Sequence, residues 1–128
     1  MWVIYTWDIC MINKIEPIIL FVKNFGECKS FYRDKLGLKE QSPSNDENTN
    51  FVTFRLANIT FSLHGGFKGT QTGPLNIHFV TEDIEKEVRR LKNSGVRFVR
   101  EIENVPWGGK EATFMDPDGN EMDLYEPA

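Results

Sequence analysis

Residues 15–37, IEPIILFVKNFGECKSFYRDKLG, join a short apolar run directly to a helical pattern. The apolar side chains of residues 15–23 are nearly contiguous, which is typical of a buried strand. Asn24 is a residue type that favours the first position of a helix, and Glu27 three positions later predicts a capping box. Apolar side chains then recur at helical spacing until Gly37, which predicts the left-handed residue that ends many helices. This stretch therefore predicts a strand followed at once by a helix.

Three more predicted strands follow this helix, and the same order of elements then occurs a second time. The first set of strands is predicted at residues 38–41, 51–56 and 59–64. The second occurrence has a strand at 75–80, a helix that begins after Asp83 and ends at Gly95, and strands at 96–102, 110–115 and 121–126. Such a repeat of two βαβββ units predicts an α+β fold, because each unit alone leaves one sheet face bare.

The domain organisation follows from this repeat. We predict one domain over residues 15–128, with units at about 15–64 and 75–127. The glycine-rich residues 65–74 are predicted to be the linker between them. Residues 1–14 are predicted to be an N-terminal extension.

The composition excludes several classes of protein. The 128 residues are 40% hydrophobic and 27% charged, which is typical of a single globular domain. The net charge of −4 argues against a nucleic-acid partner, which would require a basic face. No run of about 18 apolar residues occurs, so we expect no membrane partner. The two cysteines, Cys10 and Cys28, cannot form a disulfide framework, which favours a cytoplasmic location.

Two motifs resemble those of the vicinal oxygen chelate superfamily, which includes glyoxalase I, the bleomycin-resistance proteins and the extradiol dioxygenases. The sequence FYRDKLG at 31–37 resembles the family's FY-x-x-x-LG motif. The sequence FMDPDGN at 114–120, followed by MDL at 122–124, resembles its closing DPDGN-x-x-E-L motif. The resemblance covers about residues 15–127. It implies a cupped mixed β-sheet with helices on the outer face, and commonly a homodimer.

Alternation along the predicted strands separates two sheet faces. One set of side chains is uniformly apolar and is expected to pack against the helices. The other set mixes polar and apolar side chains, which suits a concave site for a small-molecule ligand, although a solvated sheet face would show the same pattern. The candidate ligand-binding residues on that face are Asn76, His78, Glu121, Asp123, Tyr125, Ser62, His64 and Arg55, with Trp107 either at the cavity mouth or packed on a neighbour.

The resemblance also allows the family's metal site to be tested. Metal-dependent members carry His or Glu at the start of each unit's first strand and in the middle of its last strand. The resemblance puts Pro17, Ser62, Asn76 and Asp123 at these four positions. Of these side chains, only the carboxylate of Asp123 is a good ligand for a divalent transition metal. We therefore expect no metal ion there, no other cofactor, and no catalytic residue that the sequence can assign.

Three hypotheses about function remain open. The first is a binding protein of the bleomycin-resistance type that holds a small molecule without chemistry. The second is a metal-dependent glyoxalase-like lyase, isomerase or dioxygenase with one divalent metal ion at a shifted site of His64, His78 and a carboxylate, either Asp123 or Glu121. The third is a domain with a structural or sensory role.

Overall fold

The computed structural model describes residues 11–12, 15–41, 50–66 and 76–128. The first unit contains β1 (Ile18–Phe21), α1 (Phe25–Ser30) with a π-helical continuation (Phe31–Lys35), β2 (Lys39–Glu40), β3 (Phe51–Arg55) and β4 (Thr60–His64). The second unit contains β5 (His78–Val80), α2 (Ile84–Asn93), β6 (Arg97–Asn104), β7 (Lys110–Met115) and β8 (Glu121–Glu126). This order confirms the α+β fold of two βαβββ units. The helices within these ranges are too short and too polar to cross a membrane.

The domain boundaries remain a prediction. Most of the proposed extension at residues 1–14 and of the proposed linker at residues 65–74 lies outside the described residues.

Each unit forms a four-stranded mixed sheet, and the two sheets have equivalent strand orders. The orders are β1-β4-β3-β2 and β5-β8-β7-β6. The first strand of each unit pairs in parallel with the last strand, while the remaining pairs are antiparallel. A parallel pair requires a crossover connection, which the intervening helix helps to supply. As a result, β1 and β5 are outer strands and the last strand of each unit lies inside its sheet.

The core lies on the sheet faces that the alternation predicts to be apolar. Tyr32 at the end of the first helix is completely buried, and its ring contacts those of Phe54 and Phe61 in the first sheet. Phe114 of the second sheet is equally buried and contacts Phe31 from the first unit. The two units therefore share one aromatic core.

The helix starts differ from the sequence prediction in one respect. Asp83 caps α2 as its residue type predicts, because its Oδ1 accepts a hydrogen bond from the backbone of Lys86 at 3.2 Å. The predicted capping box at Asn24 and Glu27 is wrong, since Asn24 makes no side-chain cap. Instead, its backbone N and its Nδ2 donate to Oδ1 of Asp118, at 3.0 and 2.8 Å. Asp118 belongs to the other unit, so no local pattern could reveal this competition.

The DPDGN turn joins the two units through a second, buried carboxylate. Oδ2 of Asp116 accepts hydrogen bonds from the hydroxyl of Tyr32 at 2.8 Å and from Nδ2 of Asn120 at 2.9 Å. Its Oδ1 accepts from the backbone N of Asp118 and from that of Asn120, both at 2.9 Å. Burial and the neighbouring Asp116 raise the pKa of Tyr32 well above its usual value of 10.0. The turn therefore organises itself and anchors the first helix.

Candidate functional site

Three side chains from neighbouring strands meet on the open face of the second sheet. The pairing register sets His78 of β5 beside Asp123 of β8, and Asp123 beside Thr113 of β7. Nε2 of His78 lies 3.2 Å from Oδ2 of Asp123, and its Nδ1 lies 3.9 Å from Oε2 of Glu111. We call His78, Glu111 and Asp123 the carboxylate–histidine cluster.

Asp123 is the best-supported member of this cluster. Its side chain is buried, and its Oδ1 accepts a hydrogen bond from the hydroxyl of Thr113 at 2.6 Å. Its Oδ2 accepts from Nδ2 of Asn76 at 2.9 Å. Both donors are neutral, so they orient the carboxylate without neutralising its charge.

Glu111 has a buried carboxylate oxygen that lacks a hydrogen-bond donor among the described residues. Its side chain is only 10% exposed, and its Oε2 has no hydrogen-bond partner among the described residues. A buried carboxylate oxygen without a donor is unfavourable, because it has lost its water without replacement. The alternation along β7 places Glu111 on this face, but nothing in the sequence distinguishes it as a site residue. Its burial between neighbouring strands and its missing partner appear only in three dimensions.

Of the candidates Tyr125, Trp107 and Glu121, Tyr125 is the one with a contact to the cluster in the described structure. The ring of Tyr125 packs edge-on against His78, with centroids 6.1 Å apart, and its hydroxyl donates to the carbonyl oxygen of Gly108 at 2.8 Å. Trp107, beside Gly108 in the loop between β6 and β7, is 66% exposed. Glu121 begins β8 and is exposed to solvent. Tyr125 therefore adjoins the cluster directly, whereas Glu121 is not part of it.

The candidates from the first unit lie on the other sheet. Ser62 is buried, and its Oγ shares a hydrogen bond with Oγ1 of Thr53 at 2.9 Å. Arg55 donates a hydrogen bond from Nη1 to Oε1 of Glu16 at 2.8 Å. Both side chains are thus engaged within their own unit.

His64 also has its own partners in the first unit. Its ring lies between those of Phe21 and Phe51, with centroid distances of 5.2 and 5.8 Å. Its Nδ1 is 2.8 Å from the carbonyl oxygen of Gly65. The structure brings His78 and Asp123 together, but it does not add His64 to their cluster; Glu111 stands there instead.

The four family positions do not fit a metal ion. Pro17 has no donor side chain, and Ser62 is hydrogen-bonded to Thr53. Asn76 directs its amide nitrogen, which is a donor and not a metal ligand, toward Asp123. Asp123 is therefore the one good ligand among the four. No set of three ligands is available at these positions, and we derive no chemistry through a metal held there.

Cys28 is not suited to nucleophilic chemistry. Burial, together with the nearby negative charges of Asp116 and Asp118, raises the pKa of its thiol from 9.0 to about 12. The thiolate is the reactive form, and it is scarce at neutral pH when the pKa is raised in this way. Cys28 is therefore a core residue.

A separate groove lies away from all these candidates. Its volume is about 800 Å³, and α1 and its continuation line one side of it through Glu27, Asp34 and Lys35. The opposite side is lined by residues that include Arg97 and Pro117. It contains none of the candidate ligand-binding residues.

A family model, sequence relatives and solved structures each resemble this chain over most of its length. The model of the Glyoxalase/Bleomycin resistance protein/Dioxygenase superfamily matches residues 14–124. The protein YetH of Bacillus subtilis (strain 168) is 27% identical over 130 residues, covering 91% of this chain and 100% of YetH. A crystal structure of a member of the same superfamily from Sphaerobacter thermophilus DSM 20745 superposes with a TM-score of 0.70 at 28% identity, covering 91% of this chain and 99% of that one. TnmS3, an antibiotic binding protein from Streptomyces sp. CB03234, has a TM-score of 0.70 at 24% identity, covering 89% and 98% of the two chains.

Proposed function

Because this chain belongs to the glyoxalase/bleomycin resistance protein/dioxygenase superfamily, we propose that it binds a small molecule on the open face of its second sheet, with no metal ion at the four family positions. The observation that carries this proposal is the pair of buried carboxylates, Asp123 and Glu111, on a face that also presents His78 and Tyr125. TnmS3, an antibiotic binding protein whose fold this chain shares, supports the binding of a small molecule by this fold.

The ligand's chemistry follows from the groups that face it. Buried carboxylates favour a cationic group or a hydrogen-bond donor, because either replaces the water that they have lost. The aromatic rings of His78 and Tyr125 add flat surfaces that suit a planar or cationic group. We therefore expect a small organic molecule that carries an amine or several donor groups.

Replacement of Asp123 by asparagine is expected to weaken binding of a cationic ligand by about 1–3 kcal/mol, since it removes the charge while nearly preserving shape. A thermal-shift screen of amines, planar antibiotics and thiol conjugates would identify a ligand. Calorimetry would then compare the wild type, Asp123→Asn and the control Lys86→Ala on the exposed side of α2. If wild type, Asp123→Asn and His78→Ala bind such a ligand equally well, the site assignment fails.

We also propose that two copies of the chain form a homodimer. Ile19, Phe21 and Phe51 lie on the open side of the first sheet and are 41%, 45% and 42% exposed. Neighbouring apolar side chains that are this exposed favour an interface. A second copy of the chain would cover this surface.

Light scattering at micromolar concentration is expected to give twice the chain mass of 14.8 kDa. The variant Ile19→Lys, which places a charge within the apolar surface, should shift the protein toward the monomer. Lys86→Ala should leave the assembly unchanged. A monomeric wild type would refute the dimer but not ligand binding.

We propose a cytoplasmic location for this assembly. The support is Cys28, a buried free thiol, together with the small number of cysteines.

A further inference from the structure

We propose that His78, Glu111 and Asp123 together bind one divalent transition-metal ion. Asp123 is also one of the four family positions, but the other three provide no ligand here, because His78 and Glu111 take their place. It also goes beyond the proposed function, since a ligand could bind the same face with or without the ion.

The geometry of the cluster suits a metal ion. One nitrogen of His78 and one oxygen from each carboxylate all lie within 4.8 Å of one another. Zinc lies about 2.0–2.2 Å from nitrogen and oxygen ligands, so its ligand atoms stand roughly 3–4 Å apart. His78 contacts both carboxylates, with Nε2 3.2 Å from Oδ2 of Asp123 and Nδ1 3.9 Å from Oε2 of Glu111. Only one of these ring nitrogens would bind the ion, so the imidazole and the Glu111 side chain would rotate to bring one atom from each residue to it. Small side-chain rotations would therefore complete the site.

The chemistry of the donors fits the same conclusion. One imidazole and two carboxylates suit zinc, manganese or iron(II). Two carboxylates and a neutral imidazole carry a charge of −2, which a divalent ion balances. The side chain of His78 is 36% exposed, so the site remains open to solvent on one side. Three protein ligands with an open side would leave room for water or a bound molecule.

Two features beyond the cluster's composition point to an ion. The first is Oε2 of Glu111, which is buried without a partner and lies nearest to Nδ1 of His78. The second is the outer support of Asp123, which Thr113 and Asn76 hold in place by hydrogen bonds. Metal-binding carboxylates are commonly oriented in this way by donors behind them.

Another acidic group in the described part of the chain provides a contrast. Asp83, Glu85 and Glu126 also lie close together. However, Asp83 caps α2, Glu126 accepts from the backbone of Ile84, and Glu85 pairs with Lys110 at 2.8 Å. Each of these carboxylates already has a donor. Only the first group combines a histidine with a buried carboxylate oxygen that lacks a partner.

Cobalt(II) would test the site directly, because its visible absorption reports coordination without requiring any enzymatic activity. The full-length protein is first treated with a chelator, dialysed and then titrated with cobalt(II), and zinc(II) competes afterwards. We expect saturation at one ion per chain. Glu111→Gln and His78→Gln should each weaken cobalt binding by about tenfold or more.

Controls separate coordination from other effects. Glu101→Gln removes an exposed carboxylate that pairs with Lys92, and it should leave cobalt affinity unchanged. His64→Gln removes the histidine of the first sheet and should also have no effect. Far-ultraviolet circular dichroism checks that each variant is folded, and half-exposed His78 is the substitution least able to disturb the core.

Three outcomes would overturn the proposal. The first is the absence of a cobalt(II) absorption spectrum with the wild type. The second is a cobalt affinity in folded Glu111→Gln and His78→Gln that equals that of the wild type. The third is a loss of cobalt affinity in His64→Gln as large as the loss in those two variants. Repeating the ligand screen with and without chelator distinguishes this failure from that of the proposed function. A ligand that binds equally in chelator, with no metal binding at all, would refute the ion and retain the ligand site.

Discussion

Replacement of Asp116 by alanine is expected to lower the free energy of unfolding by about 3–5 kcal/mol, because several buried donors lose a charged acceptor at once. Four donors lose their acceptor in this variant: the hydroxyl of Tyr32, the backbone N of Asp118, and the backbone N and Nδ2 of Asn120. Because Asp116 is only 5% exposed, water cannot readily replace it. Urea denaturation followed by fluorescence would measure the loss.

Two companion variants test this explanation. Tyr32→Phe removes one of the four hydrogen bonds and should have a smaller effect, of about 1–2 kcal/mol. Asp34→Ala removes an exposed carboxylate that pairs with the neighbouring Arg33, and such surface pairs contribute less than about 1 kcal/mol. A loss for Asp116→Ala no greater than that for Asp34→Ala would show that the network is not a major source of stability.

Replacement of Gly109 by alanine is expected to cost about 2–4 kcal/mol of stability, from backbone strain together with a steric clash. Gly109 has a φ of 91°, which side chains other than glycine rarely adopt. An added Cβ would overlap the carbonyl oxygen of Glu126 and approach the backbone N of Ala128 to 3.1 Å. Both obstacles are backbone atoms, so the end of β8 would have to move.

Gly66→Ala is the matched control for this prediction. Gly66 has a similar φ of 84°, but an added Cβ there would meet no atom of the described residues within 4 Å. Its cost should therefore be the strain alone, about 1–2 kcal/mol. The difference between the two thermal denaturation midpoints isolates the clash. Equal destabilisation would mean that the contact with β8 is relieved without cost.

Much of the fold could be predicted because strand alternation and turn residues are local signals. The apolar alternation along residues 51–56 and 59–64 identified the apolar side chains that are buried in β3 and β4. It did not show that Thr60 and Ser62, on the opposite face of β4, are buried as well. Irregular backbone was harder to predict. Simple alternation from Arg97 would place Val99 on the open face, but a bulge after Phe98 puts Arg100 opposite Thr113. The register of β7 imposes this bulge, and residues 97–104 alone do not reveal it.

The candidate site could be predicted in part for the same reason. Alternation placed Asn76, His78 and Asp123 on one face, and the pairing of β5 with β8 brings them into contact. Strand alternation could not show that His64 lies on a different sheet from His78. Alternation tells which face of a strand a side chain is on, but not which other strands lie beside that face. Nor could it reveal the unpartnered oxygen of Glu111, which depends on what surrounds β7.

The separation of the strands into two sheets has a consequence for the order of events during synthesis. Every strand pairing of the first sheet involves residues 18–64, so that sheet can assemble while the second unit is still being translated. The start of α1 and the hydroxyl of Tyr32 form their hydrogen bonds to the second unit later. Their acceptors, Asp118 and Asp116, are translated only after all strands of the first sheet and most of the second unit. A nascent first unit should therefore have its strands paired while its helix is still loosely attached, and the DPDGN turn fixes that helix once the second unit has been translated.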